Sequence, residues 1–349
     1  MSGAGTPEIS VIVPVFNAAD LVLAGLSSVL DHTRATLEVI CIDDGSTDDS
    51  AVVLETLAAS DERVSVLRMA SNQGVSTARN RGLDLATGSH VSFLDADDSV
   101  PPGALDLLLA TARTTSCDIA IGKVLYLENG QEDARLATRG AGREAVVTNI
   151  HESRWLQSVS GHHCGNLYRR QLLEQHRIRF DPDLALGEDQ LFQATAMVHA
   201  DAIALIEDTV YFYHHYSDAT VTRRPPSLKL LHDDLEWQRR TARLFFRHGL
   251  HRAGLDFVRD WSYSISNYWL KIPATFTRDE ASGFFSSLRA MTTEFGVEPW
   301  HGSTLAHHRR LLELIMSGQD DRAYAFLATE EANPGAPAAP KAGPLLHGA

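Results

Sequence analysis

Short apolar runs alternate with segments of helical periodicity over the first third of the chain. The apolar runs are typical of buried strands and lie at 9–13, 38–42, 64–67 and 90–94. Between them, apolar residues recur every three or four positions, which is the spacing of one face of an α-helix. Such alternation predicts an α/β fold, in which a mostly parallel twisted sheet carries helices on both faces. Ligands bind these sheets beyond the carboxyl ends of the strands, so functional side chains are expected directly after each run.

The pattern changes after Pro225-Pro226, where strand-like runs give way to amphipathic segments. We therefore expect an α/β domain over about residues 7–222 and a helical C-terminal region over about 226–330. The final stretch, 333–349, is rich in Pro, Ala and Gly and is expected to be a disordered tail. The segments with helical periodicity are 228–248, 251–270, 279–295 and 303–328.

Charge and hydropathy exclude several classes of protein. The formal net charge is −14 at pH 7, whereas proteins that bind duplexes usually carry the opposite sign, so no nucleic-acid partner is expected. No apolar stretch approaches the ~18 residues of a membrane span, and Met1–Glu8 is too polar for a signal peptide. A cytoplasmic protein without a transmembrane segment is expected.

The three cysteines are far apart and lack CxxC spacing, which fits neither a disulfide framework nor a thiolate zinc site.

Two adjacent acids, Asp43 and Asp44, follow the second predicted strand. A capped turn into a helix would explain the Gly45-Ser46 that comes next. It would not require two acids at the tip of the strand. A carboxylate at this edge can accept the N–H of a base such as uracil, so the pair predicts a ligand contact.

A denser acidic cluster, Asp95-Ala-Asp97-Asp98, follows the fourth predicted strand. Carboxylates this close repel one another, and a divalent cation removes the repulsion. Hard oxygen ligands suit Mn²⁺ or Mg²⁺. Such an ion would bridge to a diphosphate and stabilise charge on a leaving nucleotide. The alternative is a solvated acidic loop without a metal.

Further candidates lie outside these two clusters. Gly74 can turn the chain into a helix whose N-terminal amides favour anions, and Arg79 on that helix can reach a phosphate or order an acidic loop. A surface arginine is the alternative. Glu188-Asp189 reads as a helix start stabilised by the dipole, and such an acid can also face a cleft as a general base. The side chains of His214 and His215 point to opposite faces of a strand, so at most one of them, with His215 as the choice, is a candidate for a metal or diphosphate contact. The alternative is a purely structural histidine.

Several sequence motifs follow one another along the first part of the chain. They are Pro14-Val-Phe-Asn17, Asp43-Asp-Gly-Ser-Thr-Asp48, Asn72 to Gly82 and Phe93-Leu-Asp-Ala-Asp-Asp98, followed by Asn166 to Leu173 and Gly187 to Phe192. The first four, in this order and spacing, resemble family 2 glycosyltransferases of the bacterial type, which have the GT-A fold. The resemblance extends to about residue 216 and does not cover the helical region. One departure lies at His163-Cys-Gly-Asn166, where an aromatic residue and a lysine often stand in that family.

The resemblance implies transfer of a sugar from a nucleoside-diphosphate sugar, most often UDP-linked, to an unidentified acceptor with inversion in one displacement. It implies that Asp44 recognises the base, that Asp97 binds the metal with Asp98 as a second candidate ligand, and that Asp189 is the base with Glu188 as the alternative. The helical region lies outside the resemblance, and we expect it to bind the acceptor, close over the site or mediate self-association into a homo-oligomer. The donor-binding set is then Pro14, Val15, Asn17, Asp44, Asn72, Gly74, Arg79 and Asp95.

Rival functions make different demands on the loop after the first strand. A sugar-nucleotide nucleotidyltransferase normally needs a Gly-rich loop there, and a dinucleotide dehydrogenase needs GxGxxG. The segment Pro14–Asp20 contains no glycine. A catalytically inactive sugar-binding protein with the same fold is the non-enzyme alternative, and the retained Asp97 and Asp189 argue against it. The sequence does not specify the sugar, the acceptor or the oligomeric state.

Overall fold

A computed structural model gives the fold of this chain. It describes residues 6–128, 131–132, 146–153, 156, 163–215, 227–259, 276–296 and 306–331. The chain divides into two compact units. The first comprises Met1–Asp183 and Glu188–Ser217, and the second comprises Leu184–Gly187 and Asp218–Ala349. The predicted boundary at 222–226 and the predicted tail at 333–349 both lie outside the described residues.

The first unit has the alternating order that the sequence predicts. Its strands are β1 (Ile9–Val15), β2 (Leu37–Asp43), β3 (Val64–Arg68), β4 (His90–Phe93), β5 (Ile119–Glu128), β6 (Gln131–Glu132), β7 (Val146–Thr148), β8 (Asn166–Arg169) and β9 (Ile203–His215). Its helices are α1 (Val22–Leu30), α2 (Ser50–Ser60), α3 (Val75–Leu85), α4 (Ala104–Thr115), α5 (Arg170–Gln175) and α6 (Glu188–His199).

In the described part of the chain these strands form one sheet, in the order β3-β2-β1-β4-β8-β5-β9-β7, with β6 paired to β5. The longer pairings are parallel: β1 lies between β2 and β4, β3 flanks β2, and β9 pairs with β5. Strand β8 runs antiparallel to both β4 and β5. The α/β prediction is confirmed, and the carboxyl ends of β1, β2 and β4 meet at one edge of the sheet.

Strand β1 is buried along its whole length, which explains why its sequence is apolar without alternation. A parallel strand at the centre of a sheet is covered on both faces, so residues of either parity enter a core. Leu26 and Val29 of α1 and Leu105 and Leu108 of α4 share one apolar cluster with this strand. The core thereby fixes the strand ends from which the polar loops emerge.

The second unit is helical, as the sequence predicts, with one difference. The predicted single helix over 303–328 is wrong, because Gly318, with φ of +72°, lies between two shorter helices. In the predicted segment 251–270, a helix covers His251–Arg259, and the remainder lies outside the described residues. The helices are α7 (Leu228–Arg247), α8 (His251–Arg259), α9 (Arg278–Phe295), α10 (Ala306–Met316) and α11 (Asp320–Glu331).

A short segment far from these helices in sequence belongs to the same unit. Ala185 donates its backbone N–H to Asp233 Oδ2 at 2.9 Å, and Leu186 packs against the helical core. Gly187 has φ of +79°, and a Cβ added there would lie 2.3 Å from the ring of Trp237. The sequence gives no sign of this association, since the segment follows family-like motifs.

None of the helices within the described ranges has the length and apolar character that crossing a membrane requires.

Candidate functional site

The loops after β1 and β2 are tied together by hydrogen bonds. Val15 O accepts the N–H of Asp44 at 2.8 Å. Asn17, with φ of +51°, donates its N–H to Ser46 Oγ at 3.0 Å and accepts the N–H of Thr47 on its Oδ1 at 2.8 Å. Pro14 and Val15 are buried beneath this junction. The candidate donor-binding residues Pro14, Val15 and Asn17 therefore build one rigid edge.

Asp44 orders the loop that leads into helix α3. Its two carboxylate oxygens accept the N–H groups of Gln73 at 2.7 Å and Gly74 at 2.8 Å. Asn72 Oδ1 also accepts the N–H of Gly74, at 3.2 Å. Gly74 has φ of +91° and ψ of 154°, a conformation that is essentially restricted to glycine. The structure therefore brings Asp44, Asn72 and Gly74 together.

Arg79 is buried and joins two acids that are distant in sequence. Its guanidinium donates to Asp95 Oδ1 at 2.8 Å and to Glu188 Oε1 at 3.2 Å, and it lies 5.1 Å from the ring centroid of Phe180. Burial alone would lower the pKa of Arg79, but the charges of Asp95 and Glu188 outweigh it and raise that pKa. Arg79 is thus a fixed cation that orders an acidic loop.

The acids of the 95–98 cluster have different surroundings. Burial opposes ionisation of Asp95, but Arg79, and after it His163, hold its pKa at about 2. Asp98 is 2% exposed, and its oxygens accept the backbone N–H of His214 at 2.8 Å and the hydroxyl of Tyr211 at 2.7 Å. Burial and the charges of the neighbouring acids raise the pKa of Asp98 to about 9. Asp98 therefore fastens the loop to β9.

Asp97 differs from both neighbours. It is half-buried, and no other residue in the described part of the chain donates a hydrogen bond to its carboxylate. Burial and the charge of Asp95 raise its pKa. A carboxylate that lacks a donor and feels a like charge is a suitable ligand for a divalent cation.

Glu188 and Asp189 open helix α6. Burial, and after it the charge of Asp189, raise the pKa of Glu188 to about 7, although Arg79 opposes both effects. Burial also raises the pKa of Asp189, whose Oδ1 accepts the N–H of Gln190 at 2.8 Å. The pair therefore exchanges a proton with solvent closer to neutral pH than an ordinary carboxylate does. Arg79 links it to Asp95, so the two predicted acidic sites form one network.

Sequence reasoning missed three members of this region. Tyr211 donates to Asp98 and accepts the N–H of Asp95 at 3.1 Å. Cys164 Sγ lies 3.6 Å from Asp95 Oδ2 and 3.3 Å from His163 Nε2. In the sequence, the departure from the family pattern at residues 163–166 was the feature that could have pointed to His163 and Cys164. The side chain of His215 lies outside the described residues, so its predicted metal contact stays a prediction.

Comparison with known proteins finds similarity to glycosyltransferases. The glycosyl transferase family 2 model matches residues 10–177. The uncharacterized glycosyltransferase EpsJ of Bacillus subtilis is 30% identical over 216 residues, which are 59% of this chain and 61% of that protein. The poly(ribitol-phosphate) beta-glucosyltransferase of Bacillus spizizenii is 28% identical over 209 residues, 59% of this chain and 32% of that protein. The chain thus spans about three fifths of the length of EpsJ.

A solved structure shares the fold. The crystal structure of S. aureus TarS 1-349 in complex with UDP-GlcNAc has a TM-score of 0.73 and 21% identity, and the match covers 93% of this chain and 92% of that one. The fold of the chain is therefore the GT-A type of α/β fold followed by helices. Residues 10–177 of this chain belong to glycosyl transferase family 2.

Proposed function

We propose that the chain is a glycosyltransferase that moves a sugar from a nucleoside-diphosphate sugar, with UDP as the nucleotide, to an acceptor nucleophile. The observation that carries this proposal is the network around Arg79. It joins an acid of the donor-side loop, Asp95, to an acid at the start of α6, Glu188. A donor-side acid and a candidate base are thereby held at one site, as transfer between two substrates requires.

On the donor side, we propose that Asp44 recognises the base. Its oxygens already accept two backbone N–H groups, but a carboxylate has about four lone-pair positions and can accept a further N–H. The amides at the start of α3 suit a phosphate. The S. aureus TarS structure was solved with UDP-GlcNAc, which supports UDP as the nucleotide. We also propose that the protein is located in the cytoplasm.

We propose that Asp97 holds Mn²⁺ or Mg²⁺. The fit rests on a carboxylate to which no other residue in the described ranges donates a hydrogen bond, and on its raised pKa. A bound cation would compensate the charge of this carboxylate. Asp98 is a weaker candidate than the sequence suggested, because ligation would cost its bonds to Tyr211 and His214. When bound, the ion supplies charge neutralisation at the diphosphate.

We propose that Asp189 takes the proton of the acceptor hydroxyl. The acceptor oxygen then bonds to the anomeric carbon as the bond from that carbon to the diphosphate breaks on the opposite face, so the configuration inverts. Glu188 accepts a hydrogen bond from the Arg79 guanidinium, whereas Asp189 accepts the backbone N–H of Gln190, which supports this division. A raised pKa makes Asp189 a stronger base once ionised.

The proposal predicts slow donor hydrolysis even without a known acceptor. The purified chain, incubated with Mn²⁺ and a panel of UDP-sugars, should release UDP from one of them, and added EDTA should stop the release. A nucleotidyltransferase would instead release pyrophosphate from a nucleoside triphosphate and a sugar phosphate. Tight metal-dependent binding of a UDP-sugar without release of UDP, for any acceptor tried, would favour the inactive binding protein.

A further inference from the structure

Three atoms of the kind that bind zinc meet beside Asp95. They are a carboxylate oxygen of Asp95, Nε2 of His163 and Sγ of Cys164, and ligand atoms of the three residues all lie within 4.8 Å of one another. His163 is 3% and Cys164 5% exposed. The rings of Phe93 and Phe180 pack against the imidazole at 5.5 and 5.3 Å between centroids. These residues are therefore held in place without a metal.

The distances suit a tetrahedral ion. Zinc bonds of about 2.3 Å to sulfur and about 2.0–2.2 Å to nitrogen and oxygen place tetrahedral ligand atoms about 3.4–3.6 Å apart. Cys164 Sγ lies 3.6 Å from Asp95 Oδ2 and 3.3 Å from His163 Nε2, and His163 Nε2 lies 4.0 Å from Asp95 Oδ1. The two distances from Cys164 Sγ are close to the edges of a tetrahedral Cys-His-Asp site. The third distance, from His163 to the other carboxylate oxygen of Asp95, is longer than such an edge. Three protein ligands leave the fourth position for a water or another ligand.

The charges nearby also favour a cation. Arg79 is shared between Asp95 and Glu188, so this part of the site has two carboxylates for one guanidinium. Arg79 contacts Oδ1 of Asp95, whereas Cys164 faces Oδ2. A zinc ion and the thiolate that it creates, whose proton goes to solvent, add one net positive charge there. Asp95 is 25% exposed in its side chain, which leaves a route for the ion.

We propose that Asp95, His163 and Cys164 bind Zn²⁺, at a site separate from the Asp97 carboxylate, and that the bound ion inhibits the chain. Cysteine spacing in the sequence does not reveal this site, because it uses one thiol, and Asp95 and Cys164 are 69 positions apart. The inhibition follows because zinc takes up the carboxylate of Asp95, which belongs to the proposed donor-binding set. That second part rests on the proposed function, whereas the binding does not.

Cobalt titration in the absence of any nucleotide tests the binding directly. The full chain, freed of metal and reduced, should take up one equivalent of Co²⁺ with a thiolate-to-cobalt absorption in the near ultraviolet, and Zn²⁺ should bleach it. Cys164→Ala should abolish the band. Cys117→Ala, which also removes a buried thiol, and Asp97→Asn should keep it. Wild-type protein without the band, or a Cys164→Ala protein that retains it, would overturn the proposal.

A second measurement of binding uses the wild-type protein, so it does not depend on whether a variant folds. X-ray absorption at the zinc edge of the wild-type chain with one equivalent of Zn²⁺ should show one sulfur at about 2.3 Å with nitrogen or oxygen ligands. A shell of nitrogen and oxygen alone would overturn the proposal.

Inhibition is then measured as UDP release at fixed Mn²⁺. Zn²⁺ should reduce it at least tenfold in wild type and much less in Cys164→Ser. Equal inhibition of both would overturn the inhibitory role while leaving the spectroscopic result intact.

Discussion

At the level of single residues, Asp189 and Glu188 are adjacent but have different partners. Glu188 is ion-paired with Arg79, whereas Asp189 accepts one backbone N–H. Asp189→Asn is close to isosteric, so we expect normal folding and an unchanged donor Kd. Turnover should fall by about 10²–10⁴-fold, because a positioned base contributes that much. Donor Kd and kcat are to be measured on the same preparation.

Glu188→Gln is the matched variant for this test. It weakens the Arg79 contact and should lower turnover less than Asp189→Asn, with a change in donor affinity through Asp95. If Glu188→Gln is inactive while Asp189→Asn keeps near-normal kcat, the base has been assigned to the wrong acid. If both remain active, the proposed mechanism is wrong.

The raised pKa values of this pair predict the pH dependence. A base must be ionised to accept a proton, and burial raises the pKa of Glu188 to about 7 and also raises that of Asp189. As the solution is acidified, activity should therefore begin to fall at a higher pH than the usual carboxylate value of about 4. The measurement is kcat/KM between about pH 5 and about pH 9. Glu188→Gln removes a like charge beside Asp189 and should move the acidic limb to lower pH. A flat profile over this range would contradict the assignment.

At the level of elements, the loops that precede α2 and α3 touch at Gly45. A Cβ there would lie 2.6 Å from the backbone carbon of Ser71, and the φ of Gly45 is +70°. We expect Gly45→Ala to cost about 1–3 kcal/mol from overpacking, on top of about 1 kcal/mol of backbone strain, and to weaken donor binding. Gly103→Ala is the control, because its φ of +76° is similar but nothing lies within 4 Å. Urea unfolding of both variants gives the difference, and equal costs would contradict the close approach.

The elements themselves were largely predictable, because strand runs and helical periodicity are local in sequence. The motif residues at the ends of β1, β2 and β4 were predictable for the same reason, since parallel strands end at one edge. The link from Arg79 to Glu188 spans 109 positions, so no local pattern reveals it. The role of Asp98 depends on Tyr211 of β9, which the topology brings to it. The break at Gly318 was missed because a single glycine is tolerated inside many helical patterns.

At the level of the whole molecule, the segment 184–187 belongs to the helical unit, although it lies between two parts of the α/β unit in the chain. It directly precedes Glu188 in the chain, and it belongs to the helical unit through Asp233 and Trp237. A protein truncated after Arg224 loses these partners. We expect it to retain nucleotide binding but to lose transfer to the native acceptor, whereas deletion of 333–349 should change little. Calorimetric titration with UDP and a transfer assay on the same samples distinguish these outcomes. Full acceptor turnover by a soluble truncated protein would contradict this account.

The central claim is that the chain binds a nucleoside-diphosphate sugar through a divalent metal at Asp97. The most direct measurement is thermal unfolding of the full chain with a panel of nucleotide sugars, with Mn²⁺ or with EDTA. A ligand at 100 times its Kd adds about 2.7 kcal/mol, which should raise the Tm by about 5–10 °C for a domain of this size. In Asp97→Asn the shift should disappear. Its Tm without ligand should be equal or higher, because the raised pKa of Asp97 marks an unfavourable charge in the fold. The shift should require both Mn²⁺ and Asp97; an equal shift in EDTA, or in Asp97→Asn, would contradict metal-dependent donor binding at this carboxylate.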